Sequence, residues 1–410
     1  MIRLSPKYTQ DLLARTRAMI DRCHPRLPGS PGCLRAAEEI RREMAKSCDR
    51  SHLEEFAQHP ASFFLMNRVL AASYLLAGAC FFLGGIATGA AAALFSLGTV
   101  YIINNFVFLG RFFDPLFPKK AGANAVGIME PALEVRQQII LTGHHDSTPV
   151  CRFIEKRQWA YAFRMVLPIA FHLIANVGAF FLAAGIWSEP AAGGVRAFLK
   201  VAILAGGLFV VPMFWYYGRQ ASPGASDNLA TCLALVKLAE IIRSGEAGRL
   251  NHTRLIFLSL DGEENGQRGS FAYAHRHRGE LREMKSMVFN MDTLSRTRDL
   301  AFLKTDTNGL TRLSARLTGE GLRIAAELGR PVRAIRFPLG GGGTDAGQFA
   351  RVGVESVSLI GISTHFVRRD VDYHTSRDTV DAIEPAAVEA GLEIALNFVL
   401  ETDRTASEPS

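Results

Sequence analysis

The stretch Arg254–Ser270, RLIFLSLDGEENGQRGS, decides how the chain is read. Leu255–Leu260 is an almost continuous apolar run, the pattern of a strand buried on both faces. A polar turn follows, in which Glu263 and Glu264 are adjacent. Neighbouring carboxylates repel, and burial raises the cost of ionising both. Such a pair at the end of a core strand calls for a cation.

Other segments surround this one in an alternating order. NAVGIME (124–130), QQIILTGHHD (137–146), SMVFNMD (286–292) and VESVSLIG (354–361) read as strands. SPGCLRAAEEIRREMAKS (30–47) reads as a helix, with Ser30 and Pro31 as start signals. SDNLATCLALVKLAEIIRSG (226–245) reads as an amphipathic helix capped by Ser226 or Asp227 and stopped by Gly245. Shorter helical patterns lie near Ser270–Arg276 and in 310–329, and a last helix starts at Pro385. Alternating strands and helices predict an α/β fold, a mostly parallel central sheet with helices on both faces. Ligands of such sheets bind beyond the carboxyl ends of the strands.

Acids and histidines gather at those ends. QQIILTGHHD delivers His144 and Asp146 two residues apart, on one face. A carboxylate so placed can fix the tautomer of a metal-bound imidazole. Asp227 starts a helix, Asp292 ends a strand, and His374 stands in DYHTSRDT. Two divalent cations would relieve the repulsion. Asp227 would bridge them, His144 and Asp292 completing one site and Glu264 and His374 the other. Glu263 would stay off the metals and act as general base on a shared water.

The stretches GHHDS, GASDN, DGEENGQRGS, FNMDT and DYHTSRDT, in this order, resemble the co-catalytic zinc aminopeptidase family. That family includes aminopeptidase Y, bacterial leucyl aminopeptidases and the glutamate carboxypeptidase relatives. RLPGSPGCLRAAEEIRREM resembles its N-terminal helix, and GGGGTDAGQF its loop near the substrate. The resemblance implies five metal ligands, His144, Asp227, Glu264, Asp292 and His374. It implies Glu263 as general base, Asp146 as the residue orienting the first histidine, and a cis Asp227–Asn228 peptide. It implies two Zn²⁺, with Mn or Co tolerated by similar ligands, and a peptide substrate with a free amino terminus. Ala230-Thr231 departs from the family's usual Ser-Gly pair. Gly340–Gly343 reads as a substrate-side loop in preference to an anion cradle. Thr344 and Asp345 are expected to cap the next helix, Asp378 to support the His374 loop, and His145 and His275 to be bystanders.

The second departure is hydrophobicity. Mean hydropathy is +0.12, and the apolar residues are concentrated in blocks. Val69–Gly110 contains no Asp, Glu, Lys or Arg, and neither do Val166–Trp187 and Val201–Gly218. A membrane helix needs about 20 apolar residues, so four transmembrane helices in two hairpins are expected, the first turning near Thr88-Gly89. SEPAAGGVRAFLK (188–200) is expected as an exposed turn. The chain then divides into peptidase segments at 1–61, 113–160 and 219–402, hairpins at 62–112 and 161–218, and a disordered tail at 403–410. Arg68, Arg111, Lys119, Lys120, Arg152, Lys156, Arg157, Arg164 and Arg219 flank the spans on one side, against Arg196 and Lys200 on the other. The positive-inside rule predicts a multi-pass protein of a bacterial inner membrane with its peptidase domain in the cytoplasm. No apolar signal-peptide core is expected in the charged first 22 residues. The net charge of +7 is explained by basic flanks beside a lipid bilayer, with no nucleic acid required. Six cysteines at spacings unlike any metal or redox pair suit a reducing compartment.

Two other functions fit parts of this pattern. A glutaminyl cyclase-like zinc aminoacyltransferase shares the core but uses one metal. A non-catalytic membrane binding or transport protein could carry a vestigial peptidase domain; the intact acid and histidine set opposes it.

Overall fold

A computed structural model describes residues 1–187, 189–365 and 370–407. Its strands are β1 (Arg50–Gln58), β2 (Lys120–Met129), β3 (Gln137–His144), β4 (Pro149–Cys151), β5 (Tyr217–Ala221), β6 (Thr253–Leu260), β7 (Lys285–Leu294), β8 (Leu300–Asp306), β9 (Thr311–Arg312), β10 (Arg333–Arg336) and β11 (Glu355–Gly361). The main sheet runs β1-β2-β6-β3-β7-β11-β8-β10, with β9 on β8. Its centre, β6-β3-β7-β11, is parallel. β1, β2 and β8 join antiparallel, which makes the sheet mixed.

Period-two alternation divides the sheet residues between two cores. Ile139, Leu141, Phe257 and Phe289 pack under helices Pro6–Cys23, Pro31–Met44, Ala230–Ser244 and Pro385–Ser407. Ile140, Ile256, Leu258 and Val288 face the other way, against Tyr273 and Phe349. The fold class expected from the alternating pattern is therefore present. Ser30 caps its helix, its hydroxyl accepting from Cys33 N at 3.2 Å. The helix expected from Ser226 starts later, at Ala230, because Asp227 and Asn228 have non-helical backbone. The final helix continues through the expected tail to Ser407; residues 408–410 lie outside the described part.

The apolar blocks form two helical hairpins inserted at loops of the sheet. Among the described residues, four helical stretches are long and apolar enough to cross a membrane: Met66–Leu83, Ala87–Val107, Gln158–Ala183 and Glu189–Trp215. The first turn falls at Gly84 and Gly85, both with positive φ, earlier than Thr88-Gly89. Glu189–Lys200, expected as an exposed turn, is the start of the fourth helix; Ser188 lies outside the described residues. Pro190 suits a helix's first turn, and the alanines that follow favour helix, so the charges of Arg196 and Lys200 do not end it.

The hairpins pack on each other through small residues, as apolar helices do when backbones must approach. A Cβ on Gly206 would lie 2.1 Å from the Tyr74 hydroxyl, whereas one on Gly207 would meet nothing within 4 Å. Gly206→Leu is therefore expected to destabilise the bundle by about 1–3 kcal/mol. The check is the thermal midpoint of the full chain in detergent, with Gly207→Leu as the unaffected control.

Both hairpins are fastened beside the sheet's carboxyl end. Arg268 donates to the carbonyls of Leu109 and Gly110 and pairs with Asp114 at 3.2 Å, gripping the exit of the first hairpin. β4 and β5 form an antiparallel ribbon at the stem of the second. One strand of that ribbon leads back to Asp146 and the other leads on to Asp227.

Candidate metal centre

Four parallel strands bring their ends to one place. β3 ends on His144, Asp261–Glu264 follow β6, Asp292 lies within the last residues of β7, and the loop after β11 carries His374. Asp227 enters from the segment between β5 and helix Ala230–Ser244.

Asp227 is the centre of the cluster. Its Oδ1 lies 3.2 Å from His144 Nε2 and its Oδ2 3.2 Å from His374 Nε2. His144 Nε2 is also 4.0 Å from Asp292 Oδ1, and His374 Nε2 is 3.0 Å from Glu264 Oε2. Of three groups able to hold a cation among the described residues, two share Asp227, namely His144–Asp227–Asp292 and Asp227–Glu264–His374; the third is Cys33–His145–Asp261, and in each the donor atoms lie within 4.8 Å of one another. Glu263 and Glu264 diverge as the strand-end geometry suggests. Glu264 reaches His374, while Glu263 Oε2 stands 4.0 Å from His144 Nε2 and faces the cleft.

The electrostatics fit divalent cations. Burial pushes Glu264 and Asp292 up to about 7 and holds Glu263 well above the carboxylate range. Burial disfavours the His144 cation, but Asp146 and Asp227 outweigh it and raise that group well above its usual value; His374 is raised to about 9, its burial overcome by Glu264 and Asp227. Burial likewise opposes ionised Asp227, yet the two histidines hold it below the usual range. Among the described residues, buried His144 Nδ1 and Nε2, Asp227 Oδ2 and Glu264 Oε1 have no hydrogen-bond partner. Such orphaned donor atoms are costly without a ligand, and the oxygen and imidazole set suits zinc.

Several supports surround the cluster, some expected from the resemblance and others visible only in three dimensions. Asp146 Oδ1 lies 3.3 Å from His144 Nδ1, and the same carboxylate accepts the backbone N–H groups of Glu263 and Glu264 at 3.2 and 3.0 Å. It therefore ties the histidine to the acidic turn. The Asp227–Asn228 peptide is cis. Asn228 donates to Met291 O and accepts from Thr293 N, joining the Asp227 segment to the end of β7. Arg26, fully buried, donates to His145 O and Gly224 O and clamps the His144 and Asp227 loops together. No sequence period marks Arg26 or Asn228.

The secondary expectations divide. Asp378 reaches the Asp227 segment, accepting from Ser226 N and Oγ at 2.9 and 2.6 Å and from Asp227 N at 3.2 Å. Asp378→Ala strands these buried donors and is expected to cost about 2–4 kcal/mol, measured by urea denaturation. Asp345 occupies the helix N-cap position, but its side chain makes no cap bond. It is buried instead, raised to about 7 chiefly by burial, near enough to Glu263 and Asp292 to raise both. Thr344 Oγ1 donates to Asp306, not to the helix. His145 bonds Ser259 Oγ at 2.9 Å, and burial lowers it to about 3, as for a neutral core imidazole. His275 stacks on Phe271. The Gly340–Gly343 run lines the cleft, but the N–H groups of Gly340 and Gly342 already donate to Asn308 Oδ1, which removes the anion cradle.

Comparison with known proteins agrees with this geometry. Residues 211–399 match Peptidase family M28. Comparison with curated protein sequences gives no match. Among solved structures, a zinc aminopeptidase from Bacillus subtilis is similar at 13% identity and TM-score 0.56, over 96% of this chain and 95% of that one. A Zn-dependent exopeptidase from Parabacteroides distasonis is similar at 12% identity and TM-score 0.55, over 97% and 98%. A glutaminyl cyclase from Fimbriiglobus ruber is similar at 13% identity and TM-score 0.55, over 97% and 96%. The motif order, the sheet with its acidic end and the match over residues 211–399, just under half of the chain, mark it as a zinc metallopeptidase similar to Peptidase family M28, built on a zinc-exopeptidase-like fold.

Proposed function

We propose that the chain is a membrane-embedded dinuclear zinc aminopeptidase. The observation that carries the reading is Asp227, whose two carboxylate oxygens face two different histidines at the same 3.2 Å. His144, Asp227 and Asp292 would hold one zinc, and Asp227, Glu264 and His374 the other; Mn or Co would suit the same donors. Bound zinc supplies a water acidic enough to deprotonate near neutral pH and polarises the scissile carbonyl.

This chain's residues do the rest. Glu263 belongs to neither ligand group and stands at the cleft, where its carboxylate takes a proton from water and passes it to the leaving amine. Asp146, 3.3 Å from His144 Nδ1, is placed to favour one tautomer of that histidine, and it fixes the backbone that carries Glu263. The cleft lined by Asp227, Glu263, Asp292 and Thr293 is acidic and suits the ammonium of a free amino terminus. Four apolar helices and exposed Phe112, Leu116, Trp159, Leu310 and Leu339 support embedding in a bilayer. The basic flanks favour a cytoplasmic peptidase domain.

The test is a screen of aminoacyl p-nitroanilides with the purified full chain, alongside metal analysis. Expected are hydrolysis abolished by chelator, restoration by zinc, and two zinc ions per chain. The solved glutaminyl cyclases have the same fold, so the fold alone does not separate the reactions. One tightly held zinc, with cyclisation of N-terminal glutamine and no hydrolysis, would replace this reading.

A further inference from the structure

Two cavities are lined by Glu263, and a third adjoins one of them. The first, about 70 Å³, is the acidic cleft beside Asp227 and Asp292. The second, about 110 Å³, lies on the Glu264 and His374 side, walled by Phe63, Phe106, Tyr161 and Tyr217 from the hairpins and their stems. The third, about 390 Å³, sits between the hairpins and shares Phe106, Tyr161 and Gly340 with the second. The second and third cavities therefore adjoin, and together they extend from Glu263 and Glu264 toward the apolar helices.

The large cavity is fitted to hydrocarbon. Leu70, Ile103, Met165, Val166, Ile169 and Leu173 are among its apolar lining, and no Asp, Glu, Lys or Arg lines it among the described residues. Most of its polar side-chain atoms are engaged elsewhere, His172 Nδ1 being buried without a hydrogen-bond partner. Asn308 Nδ2 donates to Phe106 O, His172 Nε2 bonds Phe95 O and Thr99 Oγ1 donates to the same carbonyl. Its volume falls within the roughly 300–1,000 Å³ usual for small-ligand sites. A peptide helix about 10–12 Å across would overfill it, whereas one extended alkyl chain fits.

We propose that this cavity is the subsite for a linear hydrocarbon chain on the leaving-group side of the substrate. The inference rests on the aminopeptidase reading and names its substrate class: aminoacyl amides of long-chain amines, drawn from the bilayer. The ammonium sits in the acidic cleft, the scissile amide at Glu263 and the alkyl chain between the hairpins. Hydrolysis breaks the amide C–N bond. Water gives its oxygen to the carbonyl carbon and a proton to the nitrogen, releasing an amino acid and an alkylamine.

The experiment uses leucine butylamide, octylamide and dodecylamide with the full chain in detergent micelles, each rate corrected for partition. Expected is a kcat/KM rising with chain length by up to about fourfold per buried methylene. Ile169→Trp, and independently Met165→Trp, should lower kcat/KM for the dodecylamide at least tenfold and leave the butylamide unchanged. Leucine amide of a triple-leucine peptide, equally apolar but bulkier, should be a poorer substrate than the dodecylamide; the reverse order would overturn the linear-chain assignment. A flat chain-length profile indifferent to both substitutions would also overturn it, while butylamide hydrolysis still upholds the aminopeptidase reading. If no amide is cleaved, that reading fails, and the subsite is read by binding alone. Dodecylamide should then raise the thermal midpoint of the unsubstituted chain more than that of Ile169→Trp, and equal shifts would sink the proposal.

Discussion

Replacement of Glu263 by glutamine is expected to lower kcat by about two to four orders of magnitude, with KM and zinc content unchanged. The reason is the division of labour within the acidic turn. Glu264 lies 3.0 Å from His374 and belongs to a ligand group, while Glu263 belongs to none. Glutamine keeps the volume and the backbone bonds to Asp146 but cannot accept the proton. Glu264→Gln should behave differently, losing metal along with activity. Rate and metal content measured together separate the two residues, and full activity of Glu263→Gln would remove Glu263 from the reaction.

Removal of zinc should have the second large effect. Asp227, Glu263, Glu264, Asp292 and Asp345 are carboxyl groups packed within one buried region. Without cations they repel or stay protonated, and the orphaned donor atoms lose their ligand. Chelation is expected to abolish hydrolysis. It should also withdraw the stabilisation that binding supplies, about 4 kcal/mol where free zinc stands at a thousandfold its Kd. The check is the thermal midpoint before chelation, after it and after zinc is restored. A midpoint and a rate both indifferent to chelator would rule out a resident metal.

Much of the architecture is legible because strand and helix periods are local properties. LIFLSL (255–260) and QQIIL (137–141) read as buried strands, and they occupy the parallel centre of the sheet. β1 does not, since RSHLEEFAQ is mostly polar; its register on β2 at the sheet edge makes it a strand. The start of the fourth apolar helix was hidden by Arg196 and Lys200, whose charges break a hydropathy run without breaking a helix. The Asp227 segment reads as a helix cap in sequence but is not one, because its geometry depends on Asp378, about 150 residues away, and on Asn228 reaching across to β7.

The amino-acid order alone determined the layering of the domain, the two apolar hairpins and which acids and histidines stand at strand ends, because each follows from neighbours along the chain. Only the tertiary structure decided that Asp227 stands between His144 and His374, that Asp146 also holds the turn bearing Glu263, and that the hairpins wall the cleft beside Glu263 and Glu264. Those relations join residues tens to hundreds of positions apart. No local period encodes such distances; they arise when the sheet's register and the packing of its cores bring separate loops to one place.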